Sequence, residues 1–193
     1  MKENKLKVKD LVTIGVFAVI YFIVYFIVGM IGIVPLVFLF FPMVLGMVTG
    51  VVILLFMAKV QKPWALFILG MIPPMATFIM GMTYIVPLHA LIIMLIAEFI
   101  RRKGDFKSFK LTMLSFAVFN TWSCGSLMQM LWAKDKYMEI SSMMGDEYVA
   151  ALERLITYPN MSLVYLGSIV GGLIGALIGR SMLKKHFEKA GII

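Results

Sequence analysis

The most polar stretch inside any uncharged run of this 193-residue sequence lies between Asn120 and Gln129. An amide or hydroxyl group in an apolar environment is costly unless it is hydrogen-bonded, so these side chains should face the interior of a helix bundle. At helical spacing, Asn120 and Ser123 share one face, and Trp122, Ser126 and Gln129 share a neighbouring one. Two interpretations remain open: hydrogen bonds between helices, or polar contacts and an aromatic wall for a small ligand.

Two further residues could belong to such a ligand site. His89 follows Pro87 in an apolar run, where a lone histidine is either a packing residue or a hydrogen-bond partner for a substrate. Tyr84 lies in the preceding turn. The sequence contains no G-x-x-x-x-G-K-[ST], H-E-x-x-H or G-x-S-x-G motif. We therefore expect no ATP hydrolysis by this chain, no enzymatic activity, and no metal or other cofactor.

The composition indicates what positions these residues. Hydrophobic residues make up 62% of the chain and charged residues only 15%, which excludes both a soluble globular domain and a disordered chain. Four runs without charge, at 11–58, 63–97, 111–133 and 155–179, are long enough for six membrane-spanning helices. The sequence thus predicts an all-α membrane protein, a six-transmembrane-helix bundle that forms a single domain over 1–193. The predicted spans are 11–29, 34–58, 63–82, 84–102, 110–132 and 159–183, with an outer loop at 133–158.

The distribution of basic residues predicts the orientation. Fifteen of the 18 Lys and Arg residues fall at the termini and in the second and fourth connections. The positive-inside rule then places both the N and the C terminus in the cytoplasm. We expect the protein to lie in the plasma membrane. We interpret the net charge of +8 as topology and contact with the lipid bilayer, and expect no nucleic-acid partner. No charged residue is predicted in the middle of a span, which disfavours a carrier based on a buried carboxylate.

Several small or helix-breaking residues predict how the spans pack. Glycines at 167, 171, 175 and 179 form a stripe in the last span, which could pack within the bundle or against another subunit. Gly15 and Ala18 in the first span leave the same two possibilities. Pro73 and Pro74 predict a kink or break in the third span. Apolar residues at helical spacing predict an amphipathic helix over 146–156, either a lid or a surface helix.

The predicted topology and the small-residue motifs of this sequence resemble those of the substrate-binding S components of energy-coupling factor (ECF) transporters. In detail, the sequence resembles the Trep_Strep (MptS-like) group of these proteins. The resemblance covers nearly the whole chain. It is carried by the six short spans, the segment KDLVTIGVFA from Lys9 to Ala18, and the glycine-rich last span that ends in GRSMLKK at Gly179–Lys185. The first helix of that family often has an A-x-x-x-A face toward the coupling protein; here Ile14 and Ala18 occupy that register, with Gly15 beside them.

The resemblance implies an uptake function. An S component binds a vitamin or related small-molecule substrate from outside and associates with a transmembrane coupling protein and two cytoplasmic ATPases. On this hypothesis Asn120, Trp122, Gln129, His89 and Tyr84 line the substrate site, while Gly15 and Ala18 form a subunit contact. The alternative hypothesis is a membrane scaffold or accessory subunit with no ligand of its own, in which Asn120 and Gln129 only connect helices.

Overall fold

The computed structural model describes residues 5–189, which form helices and contain no strand within that range. The all-α prediction is therefore confirmed for this part of the chain. The α-helices are α1 (Val8–Gly29), α2 (Pro35–Phe38), α3 (Phe41–Lys59), α4 (Ala65–Ile79), α5 (Ile85–Lys103), α6 (Phe109–Asn120), α7 (Gly125–Trp132), α8 (Lys134–Ser141), α9 (Asp146–Leu155) and α10 (Tyr158–Lys189). Short 3₁₀ segments, Met30–Ile33, Thr121–Cys124 and Ser142–Met144, join some of them.

Three stretches within residues 5–189 are long and apolar enough to cross a membrane: Val8–Ile33, Phe41–Lys59 and Tyr158–Lys184. Helix α4 is apolar but shorter, with 15 residues. Helix α5 carries charged residues in its last turns, and the 3₁₀ segment Thr121–Cys124 separates α6 from α7. The six-span count and the cytoplasmic position of both ends thus stay predictions.

Helices α3 and α10 make the closest backbone contact in the bundle. A Cβ atom built on Gly175 would lie 2.0 Å from the carbonyl oxygen of Gly46, and one on Gly50 would lie 2.2 Å from the carbonyl oxygen of Gly175. On Gly171 it would lie 2.2 Å from the carbonyl oxygen of Met43. Small residues allow this approach, and packing replaces the hydrophobic effect inside lipid. The glycines of α10 therefore pack within this chain.

Two buried charged side chains of α5 form hydrogen bonds with the backbone at the end of α3 and in the connection between α3 and α4. One nitrogen (Nη2) of the Arg101 guanidinium donates hydrogen bonds to the carbonyl oxygens of Met57 (2.7 Å) and Val60 (2.6 Å), at the C-terminus of α3. Glu98 accepts a bond from the Trp64 backbone N–H at 2.7 Å. Arg101 and Glu98 are each only 1% exposed. The burial of these two residues was not predictable from the sequence, because Arg101 opens a cluster of basic residues and Glu98 lies one turn before it.

The two ends of the bundle differ in character. The Lys62 ammonium donates hydrogen bonds to the Asp10 carboxylate and to the Lys5 carbonyl oxygen, so the start of the described chain lies beside the α3–α4 connection. We call this end of the bundle the basic end. At the opposite end, α8 and α9 pack over an apolar cluster from α7 and the beginning of α10. The predicted amphipathic helix is confirmed as α9, whereas Pro73 and Pro74 are buried inside α4 without breaking it.

Candidate ligand-binding site

A cavity of about 310 Å³ lies at the end of the bundle opposite the basic end. Its walls come from the end of α1, the connection from α1 to α3, the α4–α5 turn, α7 and α8. The lining residues are Tyr25, Phe26, Gly29, Met30, Phe38, Phe41, Met82, Ser126, Gln129 and Tyr137. A second cavity of about 280 Å³ shares Gly29, Phe38, Met82 and Tyr137 with it and extends to Tyr148. Both volumes lie at or just below the lower limit of typical small-molecule sites.

The connection between α1 and α3 forms one wall of this cavity. The 3₁₀ segment Met30–Ile33 tightens the chain after α1, and Pro35 then begins α2 with a backbone angle already suited to a helix. Pro42 begins α3 in the same way. This double turn places Phe38 and Phe41 at the cavity, with their ring centroids 5.8 Å apart.

Gln129 is held in one orientation. Its carbonyl oxygen accepts bonds from the backbone N–H of Thr83 (3.2 Å) and from the Thr83 hydroxyl (3.1 Å). Because only the oxygen of the amide can accept from an N–H, the NH₂ group must point the other way. That group donates to the Ser126 carbonyl at 2.7 Å and to the sulfur of Met82 at 3.3 Å. A thioether is a weak acceptor, so one hydrogen of the Gln129 amide is only weakly engaged.

Aromatic rings form the base of the cavity. Trp122 is fully buried, donates its indole N–H to the Tyr21 hydroxyl at 2.8 Å, and stacks on Tyr25 with centroids 5.2 Å apart. The Tyr25 hydroxyl is 3.1 Å from the Ser126 hydroxyl, and either of them can donate. Trp122 thus supports a lining residue rather than lining the cavity itself.

Helices α8 and α9 cover this end of the bundle, and residues 134–155 are called the lid from here on. The Tyr148 hydroxyl of α9 donates to the Gly32 carbonyl at 2.6 Å, which fastens the lid to the α1–α3 connection. Burial raises the pKa of Tyr148 to about 12, so the phenol keeps its proton at neutral pH and remains a donor. Lys134 of α8 and Glu153 of α9 form an ion pair, and this bond raises the pKa of Lys134. Both side chains are exposed, so the ion pair adds little stability.

Tyr148→Phe is expected to loosen the lid. The substitution removes the hydroxyl that donates to Gly32 and leaves the ring in place, at a cost of about 1 kcal/mol. Amide hydrogen exchange in α9 should become about fivefold faster, measured by mass spectrometry on the detergent-purified protein. Tyr158→Phe changes an exposed tyrosine and serves as the control. Equal exchange rates in the two variants would show that the Tyr148–Gly32 bond does not hold the lid.

The other predicted site residues lie away from the cavity. The Asn120 amide donates to the Pro42 carbonyl at 2.7 Å and to the hydroxyl (2.9 Å) and carbonyl (3.1 Å) of Ser168. His89 Nε2 is 2.5 Å from the Tyr165 hydroxyl. Tyr84 is 57% exposed in the α4–α5 turn. Of the predicted set, Gln129 lines the cavity and Trp122 lies beneath it, while Asn120 connects α6 to α3 and α10.

The two predicted subunit-contact residues differ in exposure. Ala18 is 1% exposed and belongs to the core of this chain. Gly15 is partly exposed, and a Cβ atom built on it would meet nothing within 4 Å. The surface available to a partner at this point of α1 therefore lies at Gly15 and not at Ala18.

Most of the cavity lining was not predictable from the sequence. Tyr25, Phe38, Phe41 and Tyr137 lie in apolar or loop segments where nothing in the residue types sets them apart from their neighbours. The available signal was the group of aromatic residues between 25 and 41, in the middle of the first uncharged run. Among the residues that the structure describes, no three His, Cys, Asp or Glu side chains come together as a group that could hold a metal ion.

Comparison with known proteins identifies the family. A family model described as "Hypothetical bacterial integral membrane protein (Trep_Strep)" matches residues 8–189, which is nearly the whole chain. No curated protein matches the chain. No solved structure matches it either. The chain therefore belongs to the Trep_Strep family of hypothetical bacterial integral membrane proteins.

Proposed function

We propose that this chain is the substrate-binding S subunit of an ECF-type importer in the plasma membrane. It captures a vitamin or related small micronutrient from outside and delivers it with a shared module of one coupling protein and two ATPases. The observation that carries this proposal is the aromatic cavity beneath the lid, in a chain whose sequence has no phosphate-binding loop. A ligand site without an energy source is typical of a subunit that depends on others.

The proposed topology has six spans with both termini in the cytoplasm. The basic end, with Lys62, Arg101 and the start of the chain, then faces inward, in agreement with the positive-inside rule. The cavity and the lid face outward, toward the source of the substrate. In this orientation the α1–α3 connection and the lid gate the site, and opening requires the Tyr148–Gly32 bond to break.

The topology predicts which positions an external reagent can reach. Lys136→Cys on the lid should react with a membrane-impermeant maleimide in intact cells, because Lys136 is exposed on α8. Lys7→Cys at the basic end should react only after the cells are opened. The native Cys124 is fully buried and gives a low background. Labelling of Lys7→Cys in intact cells would contradict the cytoplasmic N terminus.

Association with the coupling protein is proposed to involve α1 around Gly15. The exposed stripe of α1 includes Val12, Val16 and Val19, and it is apolar, as a contact inside lipid requires. Gly15 beside it gives a close approach for another helix. Ala18 is left out of this contact because it is buried within the chain.

Co-expression with a coupling protein and two ATPases tests the proposal. The tagged chain should purify together with all three, and Gly15→Phe should reduce their recovery without unfolding the chain, since Gly15 has open space around it. Ala150→Phe, at an exposed position on the lid, is the matched control and should retain them. A wild-type chain that purifies alone, and supports no ATP-dependent uptake in vesicles, would favour the scaffold hypothesis.

A further inference from the structure

The cavity lining is uncharged. Among the residues that the structure describes, none of those lining the 310 Å³ cavity carries a formal charge. Its polar groups are an amide and hydroxyls, from Gln129, Ser126, Tyr25 and Tyr137. Burial raises the pKa of Tyr137, so this phenol is neutral at physiological pH. A charged ligand group in the cavity would therefore find no counter-ion among its walls.

The lid supplies no counter-ion either. Its charged residues are all exposed, which places them on the side that faces water. Two of its basic residues are already paired, Lys134 with Glu153 and Lys136 with Glu139. Burial of an unpaired ionised group is strongly unfavourable. Carboxylate, phosphate and ammonium groups are therefore disfavoured inside the cavity, where the lining offers them no counter-ion.

The Gln129 amide specifies the polarity of the hydrogen bond that a ligand can make. The Gln129 oxygen is occupied by two bonds from Thr83. One hydrogen of its NH₂ group is donated to the sulfur of Met82, a weak acceptor that lines the same cavity. A ligand carbonyl or ring nitrogen would replace the sulfur as a better acceptor. The Ser126 and Tyr25 hydroxyls, 3.1 Å apart, can reverse their direction and serve either a donor or an acceptor.

The aromatic residues favour a flat ligand and disfavour a cation. Cations bind to the open faces of aromatic rings. Here one face of Tyr25 is covered by Trp122, at an interplanar angle of 22°, and Phe22 stacks with Tyr25 at 6°. Phe41 meets Tyr25 edge-on at 80°, and the space beside Phe38 and Phe41 is apolar. The donor end of Gln129 also opposes positive charge.

We infer that this cavity takes an uncharged, planar compound of one or two rings that presents a hydrogen-bond acceptor to the Gln129 amide. This inference rests on the proposed function, because it describes the substrate of the same site. The expected substrates are then the neutral, planar compounds among the small micronutrients. It excludes substrates whose acid, phosphate or quaternary ammonium group must enter the cavity.

The compound itself provides the first test. The protein is purified from cells that produce it, the bound small molecule is extracted, and its mass, ultraviolet spectrum and net charge at pH 7 are measured. We expect an ultraviolet-absorbing neutral compound. A bound carboxylate, phosphate ester or cation would overturn the inference and leave the proposed function standing. A protein that carries no compound would contradict both.

Variants at Gln129 provide the second test, with the extracted compound as the probe. Gln129→Leu and Gln129→Glu should each weaken binding about tenfold or more, because both lose the donor. Ser123→Ala, on the same span but outside the cavity lining, should bind as the wild type does. Stronger binding by Gln129→Glu would identify a cationic ligand and overturn the inference. Unchanged binding by Gln129→Leu would show that no acceptor contacts Gln129.

Discussion

Gly175→Ala is expected to destabilise the protein by about 3 kcal/mol, whereas Gly167→Ala should be neutral or slightly stabilising. The methyl group at position 175 would lie 2.0 Å from the Gly46 carbonyl oxygen, an atom of the backbone that no rotamer change can move. At position 167 the nearest heavy atom lies 3.8 Å away, in the side chain of Met43. The two substitutions add the same group to the same helix, so their difference reports the α3–α10 contact alone.

Thermal unfolding of the detergent-purified variants measures this difference. The fraction that remains monodisperse after heating should fall at a clearly lower temperature for Gly175→Ala. Gly50→Ala should behave in the same way, because its methyl group would lie 2.2 Å from the Gly175 carbonyl. If Gly175→Ala is as stable as Gly167→Ala, the two helices do not make the close contact described above.

Asn120→Leu and Gln129→Leu should separate stability from binding. The Asn120 amide donates to Pro42 and Ser168 and lies outside the cavity, so its loss should lower stability by on the order of 2 kcal/mol. The affinity of the Asn120→Leu variant for the extracted compound, measured below its unfolding temperature, should equal that of the wild type. Gln129→Leu should also be less stable, because it loses the hydrogen bonds from Thr83. In addition, its affinity for the extracted compound should fall about tenfold.

This pair also separates the two functional hypotheses. If the chain is a scaffold, both variants lower stability and neither affects uptake. If it is a substrate-binding subunit, only the variant at the cavity changes uptake while its fold is intact. Calorimetric titration and vesicle uptake are the two measurements. An affinity loss in Asn120→Leu equal to that in Gln129→Leu would contradict the placement of the site.

Most of the helices were predictable from the sequence because the uncharged apolar runs are long enough to form them. The predicted span 11–29 corresponds to α1, and 84–102 to α5, within a few residues. The predicted polar run at 120–129 contains the Gln129 that lines the cavity. Charge and length are properties of a segment, so they need no knowledge of what packs against it.

The packing of the helices and the lining of the cavity were not predictable, because they depend on which side of each helix faces another helix. In α1 nearly every residue is apolar, so nothing in the sequence separates buried Tyr25 from exposed Phe26. Helix α8 has eight mostly polar residues and gives no periodic signal. The burial of Arg101 depends on the carbonyls of Met57 and Val60, which lie more than 40 residues away. Such contacts are tertiary and cannot be inferred from one segment alone.

The 3₁₀ segment Thr121–Cys124 sets the rotation of α7, the helix that follows it, relative to α6. Each residue of a helix turns the chain by about 100°, and each residue of a 3₁₀ helix by about 120°. Deletion of one residue in this segment would turn Ser126 and Gln129 by about a third of a turn away from the cavity. Composition, hydropathy and charge would hardly change. The site therefore depends on the number of residues between Asn120 and Gly125 as much as on their identity.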